Sequence, residues 1–163
     1  MNIETSVQQQ SERIAPSGRF DFSPAAVLAL ARRHLGSDEW LFYRPDIPAA
    51  KEEGARHGCA LSVPPDLPLL VLYDDTVLGD ASNGFVLTTW GLLWKSPFEF
   101  ADRLPWNGID AATLEDSVDG VRVNGRDIKI MKAGLRAGFI GLVRELAGYA
   151  HGTQGLSETS PKA

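Results

Sequence analysis

Cysteine is nearly absent from this chain of 163 residues, and the single Cys59 has no second thiol with which to form an intrachain disulfide. The sequence therefore lacks the disulfide framework that is typical of small secreted proteins, and we expect Cys59 to be a buried structural residue. No segment approaches the roughly 18 consecutive apolar residues of a membrane-spanning helix. Residues 1–13 are polar and lack the apolar region of a secretory signal. These absences predict a cytoplasmic protein without stable membrane insertion.

Positive charge is also scarce, since 16 Lys and Arg residues face 21 Asp and Glu residues and give a net charge of −5. Phosphate-rich partners are bound through basic surfaces, so we expect no nucleic-acid partner. The three histidines, His34, His57 and His151, show no metal-ligand spacing. The chain contains neither a Gly-x-Ser-x-Gly nucleophile motif nor a glycine-rich phosphate loop. We therefore predict a protein that is not an enzyme, with no catalytic residue, no metal and no cofactor.

The composition is that of a globular protein, with 44% apolar and 23% charged residues. Residues 1–18 and 151–163 are polar and aperiodic, and we interpret both as disordered tails. The remaining residues, 19–150, are the length of one domain.

Three helices are predicted. Ser23-Pro24 is typical of a helix start and Gly36 of a helix end. A second short helix is expected over Ala49–His57, after an irregular connector over residues 37–48. An amphipathic helix is expected over Ala133–Tyr149. This last helix contains four glycines, which predict that another element packs closely against it.

Alternation of apolar and polar residues predicts antiparallel strands between residues 69 and 130. They are expected at Leu69–Tyr73, Gly84–Thr89, Leu92–Lys95, Phe98–Leu104, Thr113–Val118, Val121–Val123 and Ile128–Ile130. Asn124-Gly125 predicts a tight hairpin turn, because both residues tolerate a positive φ. The expected fold class is α+β: one bent antiparallel sheet or partly open barrel, capped by the C-terminal helix and preceded by two short helices.

The segment Leu69–Lys95 resembles a group of bacterial pleckstrin-homology-like (PH-like) domains. The resemblance rests on Asp74 to Gly79 (DDTVLG), on Asn83-Gly84, on Thr88, and on Gly91 to Trp94 (GLLW). It implies a strongly bent sheet closed at one end by a helix. It also implies a binding or assembly module, without a reaction.

The loop from Asp74 to Gly84 has three possible roles. It is a hairpin connection with side-chain caps, a partner-binding loop, or an oxygen-rich site for Ca²⁺ or Mg²⁺. Its spacing does not match an EF-hand. Two tryptophans at strand ends are candidates for partly exposed contacts. The candidate partner-binding residues are therefore Asp74, Asp75, Thr76, Asp80, Asn83, Trp94 and Trp106.

These features predict a non-enzymatic interaction or assembly domain that binds another protein or itself. An immunity-type or adaptor protein that masks a basic site on its partner is an alternative. A small-ligand-binding domain or an enzyme that uses the Asp74–Gly84 loop is a third possibility. A concave surface at this loop would favour a ligand, and a protruding loop would favour a protein partner.

Overall fold

The computed structural model describes residues 20–159, so the predicted tail over residues 1–18 lies outside the described residues. The elements in chain order are α1 (Pro24–Leu35), β1 (Leu41–Tyr43), α2 (Ala49–Arg56), β2 (Val71–Asp74), β3 (Gly84–Leu87), β4 (Gly91–Lys95), β5 (Asp102–Pro105), two short 3₁₀ turns (Trp106–Gly108 and Ala111–Thr113), β6 (Glu115–Asp116), β7 (Gly120–Val123), β8 (Arg126–Lys129) and α3 (Ala133–Thr159). The α+β class and the antiparallel pairing are confirmed.

The strands form two sheets, so the prediction of one sheet over residues 69–130 is wrong. The first sheet has the order β1-β2-β3-β4-β5 and the second the order β6-β7-β8. Pro105 ends β5, where it has no N–H to donate, and Trp106 then begins a 3₁₀ turn that takes the chain away. The strands assigned in residues 20–159 do not close into a barrel.

Local signals located most elements correctly. The Ser23 hydroxyl accepts a hydrogen bond from the Ala26 N–H, and Gly36 ends α1 with a φ of 64°. Asn124 and Gly125 both have a positive φ in the turn between β7 and β8. The connector over residues 37–48 is not wholly irregular, because it contains β1. That strand is only three residues long, too short to show a period-two pattern.

The first sheet is buried on both faces, which is why its central strands are continuously apolar. One face contributes Tyr73, Phe85 and Leu92 to the main core, which also includes α1, α3 and the second sheet. The other face packs with α2 and the following segment in a smaller core that contains Cys59. The predicted burial of Cys59 is confirmed, and burial raises the pKa of its thiol to about 12. The thiol is therefore protonated at neutral pH and unreactive.

The C-terminal helix α3 packs across α1, the 3₁₀ turns and the second sheet. Its predicted apolar face is confirmed, since Leu135, Phe139, Leu142, Val143 and Leu146 are all buried. The Phe139 ring also reaches Phe85 of the first sheet, with 4.8 Å between ring centroids. The helix continues to Thr159, beyond the predicted end at Tyr149. Part of the predicted C-terminal tail is therefore helical, and the rest, from residue 160, lies outside the described residues.

Candidate functional site

Two loops lie at the same end of the first sheet. Because β2, β3, β4 and β5 are antiparallel neighbours, the β2–β3 loop (residues 75–83) and the β4–β5 loop (residues 96–101) leave the sheet at one edge. The Lys95 ammonium joins their bases by donating a hydrogen bond to Asn83 Oδ1 at 3.0 Å. We call this edge of the molecule the loop end.

A buried ion pair holds the base of the β2–β3 loop. Asp74 is 4% exposed and accepts a hydrogen bond from Lys51 Nζ at 2.6 Å. The same ammonium donates to the Gly79 carbonyl at 2.8 Å, so Lys51 of α2 connects both ends of the Asp74–Gly79 segment. Both the backbone N–H and the hydroxyl of Thr76 donate to Asp74 Oδ1. Burial alone would raise the pKa of Asp74, but these donors and the Lys51 charge outweigh it and lower the pKa below its usual range.

Asp75 connects the loop to the second half of the molecule. The Tyr73 hydroxyl donates to Asp75 Oδ1 at 2.7 Å, and the N–H of Met131, just after β8, donates to the same oxygen at 3.4 Å. Burial raises the pKa of Asp75 despite these donors. Its carboxylate is thus directed toward its own fold.

The remaining polar residues of the loop also cap it internally. The Thr76 hydroxyl accepts from the Asp80 N–H at 3.0 Å, and Asp80 Oδ1 accepts from both the N–H and the hydroxyl of Ser82. The helix α2 supports the loop from beneath, because a Cβ at Gly54 would lie 1.7 Å from the Asp80 carbonyl oxygen. Only glycine permits this approach, so the loop is fixed against a rigid element.

The apolar tip of this loop was missed in the sequence, although the signal was present. Val77 and Leu78 lie between carboxylates in an otherwise polar loop, and their exposed fractions are 102% and 89%. Two large apolar residues in succession within a polar loop are the signal, because such a loop has no core in which to bury them. We call these two residues the loop tip.

A cleft of about 830 Å³ lies beside the loop tip. Trp40 and Phe42 of the β1 region and Met131 give it apolar walls, while Lys51 and Lys129 add positive charge. The Lys51 ammonium lies 5.2 Å from the Phe42 ring centroid. None of these five residues was predicted as a site residue, because they come from three segments of the chain that meet only in the fold.

The predicted site residues fall into three groups, of which two lie at the loop end and the third consists of the two tryptophans. Asp75, Thr76, Asp80 and Asn83 lie together at the loop end, with Asp80 exposed. Asp74 lies at the same place but is buried in its ion pair, so it offers little surface to a partner.

The expected exposure of the two tryptophans is wrong. Trp94 and Trp106 are 3% and 2% exposed and belong to the main core. Trp94 lies within β4, and Trp106 donates its indole N–H to the Thr88 carbonyl at 3.0 Å. Position near a strand end did not expose them, because Trp94 lies on the face of the first sheet that packs in the main core and Trp106 packs into the same core from the first 3₁₀ turn.

Among residues 20–152, whose side chains the structure describes, no group of three or more His, Cys, Asp or Glu side chains is arranged to hold a metal ion. Within residues 20–159, no helix is both long enough and apolar enough to cross a membrane.

No family model, curated protein or solved structure matches the chain.

Proposed function

We propose that this chain is a non-enzymatic interaction domain that binds another protein through the loop tip. The observation that carries the proposal is that Val77 and Leu78 are almost fully exposed on a loop whose base is immobilised. Burying such side chains against a partner is favourable, by roughly 25 cal/mol for each Å² of apolar surface removed from water. A loop that is already ordered also loses little conformational entropy on binding.

The arrangement of the carboxylates supports binding over catalysis. Asp74 is neutralised by Lys51, and Asp75 accepts hydrogen bonds from Tyr73 and Met131. Carboxylates held in this way position the loop. The PH-like resemblance over residues 69–95 implies a binding module, in agreement with this proposal.

A second candidate function is small-ligand binding in the cleft beside the loop tip. Its volume of about 830 Å³ is within the usual range for ligand pockets, roughly 300–1,000 Å³. Trp40 and Phe42 offer aromatic surface, and Lys129 would favour an organic anion. In this case the variant Lys129→Ala would abolish a ligand-induced rise in melting temperature, and loop-tip variants would leave that rise unchanged.

The proposed function is tested by the double variant Val77→Ser/Leu78→Ser. Tagged wild-type and variant proteins are used for affinity capture from cells of the native organism, with quantitative mass spectrometry, and each captured partner is then purified for binding measurements. We expect the variant to lose its partner while its melting temperature stays within experimental error, since neither side chain is packed in the fold.

The matched control is Leu61→Ser, which removes another exposed apolar side chain, 64% exposed, that lies outside the cleft. This control should bind like wild type. If the loop-tip variant retains wild-type affinity for every partner, the loop tip is not the interface and the proposal is wrong.

A further inference from the structure

The β4–β5 loop carries a second pair of exposed apolar residues. Phe98 and Phe100 have exposed fractions of 106% and 97%, so neither ring packs against the described part of the chain. Two fully solvated aromatic rings, two residues apart on one short loop, are unusual, because large apolar groups that cluster on a protein surface mark contact sites. Aromatic residues are also the side chains that most often dominate the energy of protein interfaces.

Phe98 is also held in a backbone conformation that is unfavourable for its side chain. Its φ of 65° lies in the left-handed region, which is unfavourable for any residue other than glycine. Packing within the described fold does not offset this unfavourable conformation, because the ring is solvated. Backbone strain of this kind is often found at binding sites.

The two loops lie side by side at the loop end. Gly84 pairs with Asp74 on one side and with Lys95 on the other, so the last residues before the two loops lie in one row across the sheet. Pro97 of the β4–β5 loop lines the same cleft as Val77 and Leu78. A partner that covers the loop tip would therefore reach the β4–β5 loop as well.

The charges at this edge indicate the chemistry of the partner. Neither loop contains a Lys, Arg or His residue, whereas each carries an exposed carboxylate within two residues of its apolar pair. Of the two lysines in the adjoining cleft, Lys51 is paired with Asp74, so Lys129 adds a single positive charge beside the loops. Asp80 follows Val77 and Leu78, and Glu99 lies between Phe98 and Phe100. A second copy that docked through the same two loops would bring like charges together, and an anionic bilayer would repel them. A basic and apolar protein segment is complementary to this edge.

We propose that the β2–β3 and β4–β5 loops form a single docking surface for a partner protein segment that combines apolar side chains with Lys or Arg. This inference rests on the proposed function and extends it with a second loop and a partner class. In it Phe98 and Phe100 are apolar anchors, and Asp80 and Glu99 select for positive charge and accelerate association.

The test is selection of a random peptide library displayed on phage against the immobilised full-length protein. Enriched peptides should contain Lys or Arg together with apolar residues. We expect two double variants, Phe98→Ser/Phe100→Ser and Val77→Ser/Leu78→Ser, to bind the selected peptides with an affinity about tenfold lower or more. This is the loss expected when interface anchors are removed. Asp80→Asn/Glu99→Gln should lower the association rate at low salt by at least about threefold, and added salt should remove that difference.

Two matched controls accompany these variants. Leu61→Ser removes exposed apolar surface elsewhere, and Glu53→Gln/Asp66→Asn removes two exposed charges outside the two loops. Both should bind the selected peptides like wild type. All variants should also retain the wild-type melting temperature, which separates a binding effect from a folding effect.

The outcomes distinguish this inference from the proposed function. If only the loop-tip variant loses binding, the proposed function stands and the two-loop surface is wrong. Peptides enriched without basic residues overturn the partner class, and so does co-sedimentation with phosphatidylglycerol vesicles that depends on Phe98 and Phe100. If no peptide is enriched, the inference is overturned. If the selected peptides bind every variant equally, both proposals fail.

Discussion

At the scale of single residues, Asp74 shows how a candidate binding group becomes a structural one. Its oxygens accept hydrogen bonds from Lys51 and Thr76, and its side chain is almost wholly removed from water. Removing one partner of such a buried pair leaves the other charge uncompensated, which is generally more costly than the pair is stabilising. Asp74 thus acts on function only indirectly, by holding the loop from which Val77 and Leu78 project.

The variant Asp74→Asn should lower the free energy of unfolding by about 2–4 kcal/mol at pH 7, because its amide cannot neutralise the Lys51 ammonium. The pKa of Asp74 is lowered in the folded state from its ordinary value of 3.8. The stability it contributes is therefore present above pH 3.8 and is lost as pH falls through the lower folded-state pKa. Chemical denaturation of the wild type and of Asp74→Asn should show that their free energies of unfolding differ less near pH 3 than at pH 7.

The control for this prediction is Glu53→Gln, an exposed carboxylate on the same helix as Lys51. It should leave stability unchanged at both pH values. If Asp74→Asn lowers the free energy of unfolding by the same amount in acid as at pH 7, shape and hydrogen bonding, rather than charge, account for the effect.

At the scale of elements, the contact between α1 and α3 explains part of the glycine content of the C-terminal helix. A Cβ at Gly138 would lie 2.2 Å from the His34 carbonyl oxygen, and one at Gly141 would lie 3.0 Å from the His34 ring. The two helices are also joined where Glu145 accepts hydrogen bonds from Arg33 and His34. Gly134 and Gly148, by contrast, face open space.

This contact predicts opposite effects for two identical substitutions. Gly138→Ala should lower the free energy of unfolding by about 1–3 kcal/mol, because its methyl group forces two backbones apart. Gly148→Ala should raise it by about 0.5–1 kcal/mol, since alanine favours the helix and meets no neighbour. Urea denaturation followed by circular dichroism measures both. Stabilisation by Gly138→Ala would contradict the close approach of α1.

At the scale of the whole molecule, one main core joins elements that the hydrogen-bond pattern separates. Residues of both sheets and of α1 and α3 belong to the same apolar cluster. Phe139 is its clearest connection, because it is fully buried and contacts Phe85 in the first sheet. The two sheets should therefore unfold together.

The variant Phe139→Ala should cost about 3–5 kcal/mol, as is usual for a buried phenylalanine. Its unfolding should remain a single transition, followed in parallel by tryptophan fluorescence and by circular dichroism, with both probes shifted by the same amount. Wild-type protein serves as the reference for coincidence of the two probes. Separate transitions for the two probes would show that the sheets do not form one cooperative unit.

The sequence by itself determined the elements whose causes are local. Ser23, Pro24 and Gly36 delimit α1 through capping and backbone geometry, and Asn124-Gly125 makes its turn because both residues adopt a positive φ. The buried face of α3 follows from helical periodicity alone. Such features depend on interactions within a few residues, and single-sequence patterns therefore report them.

Only the tertiary structure decided which residues face the solvent and which meet at the loop end. Trp94 and Trp106 are core residues because both side chains pack in the main core, whereas Val77, Leu78, Phe98 and Phe100 remain exposed. The division into two sheets and the Lys51–Asp74 ion pair likewise depend on contacts between distant segments. Exposure and pairing of this kind are set by how the elements pack, a property that local sequence patterns do not contain.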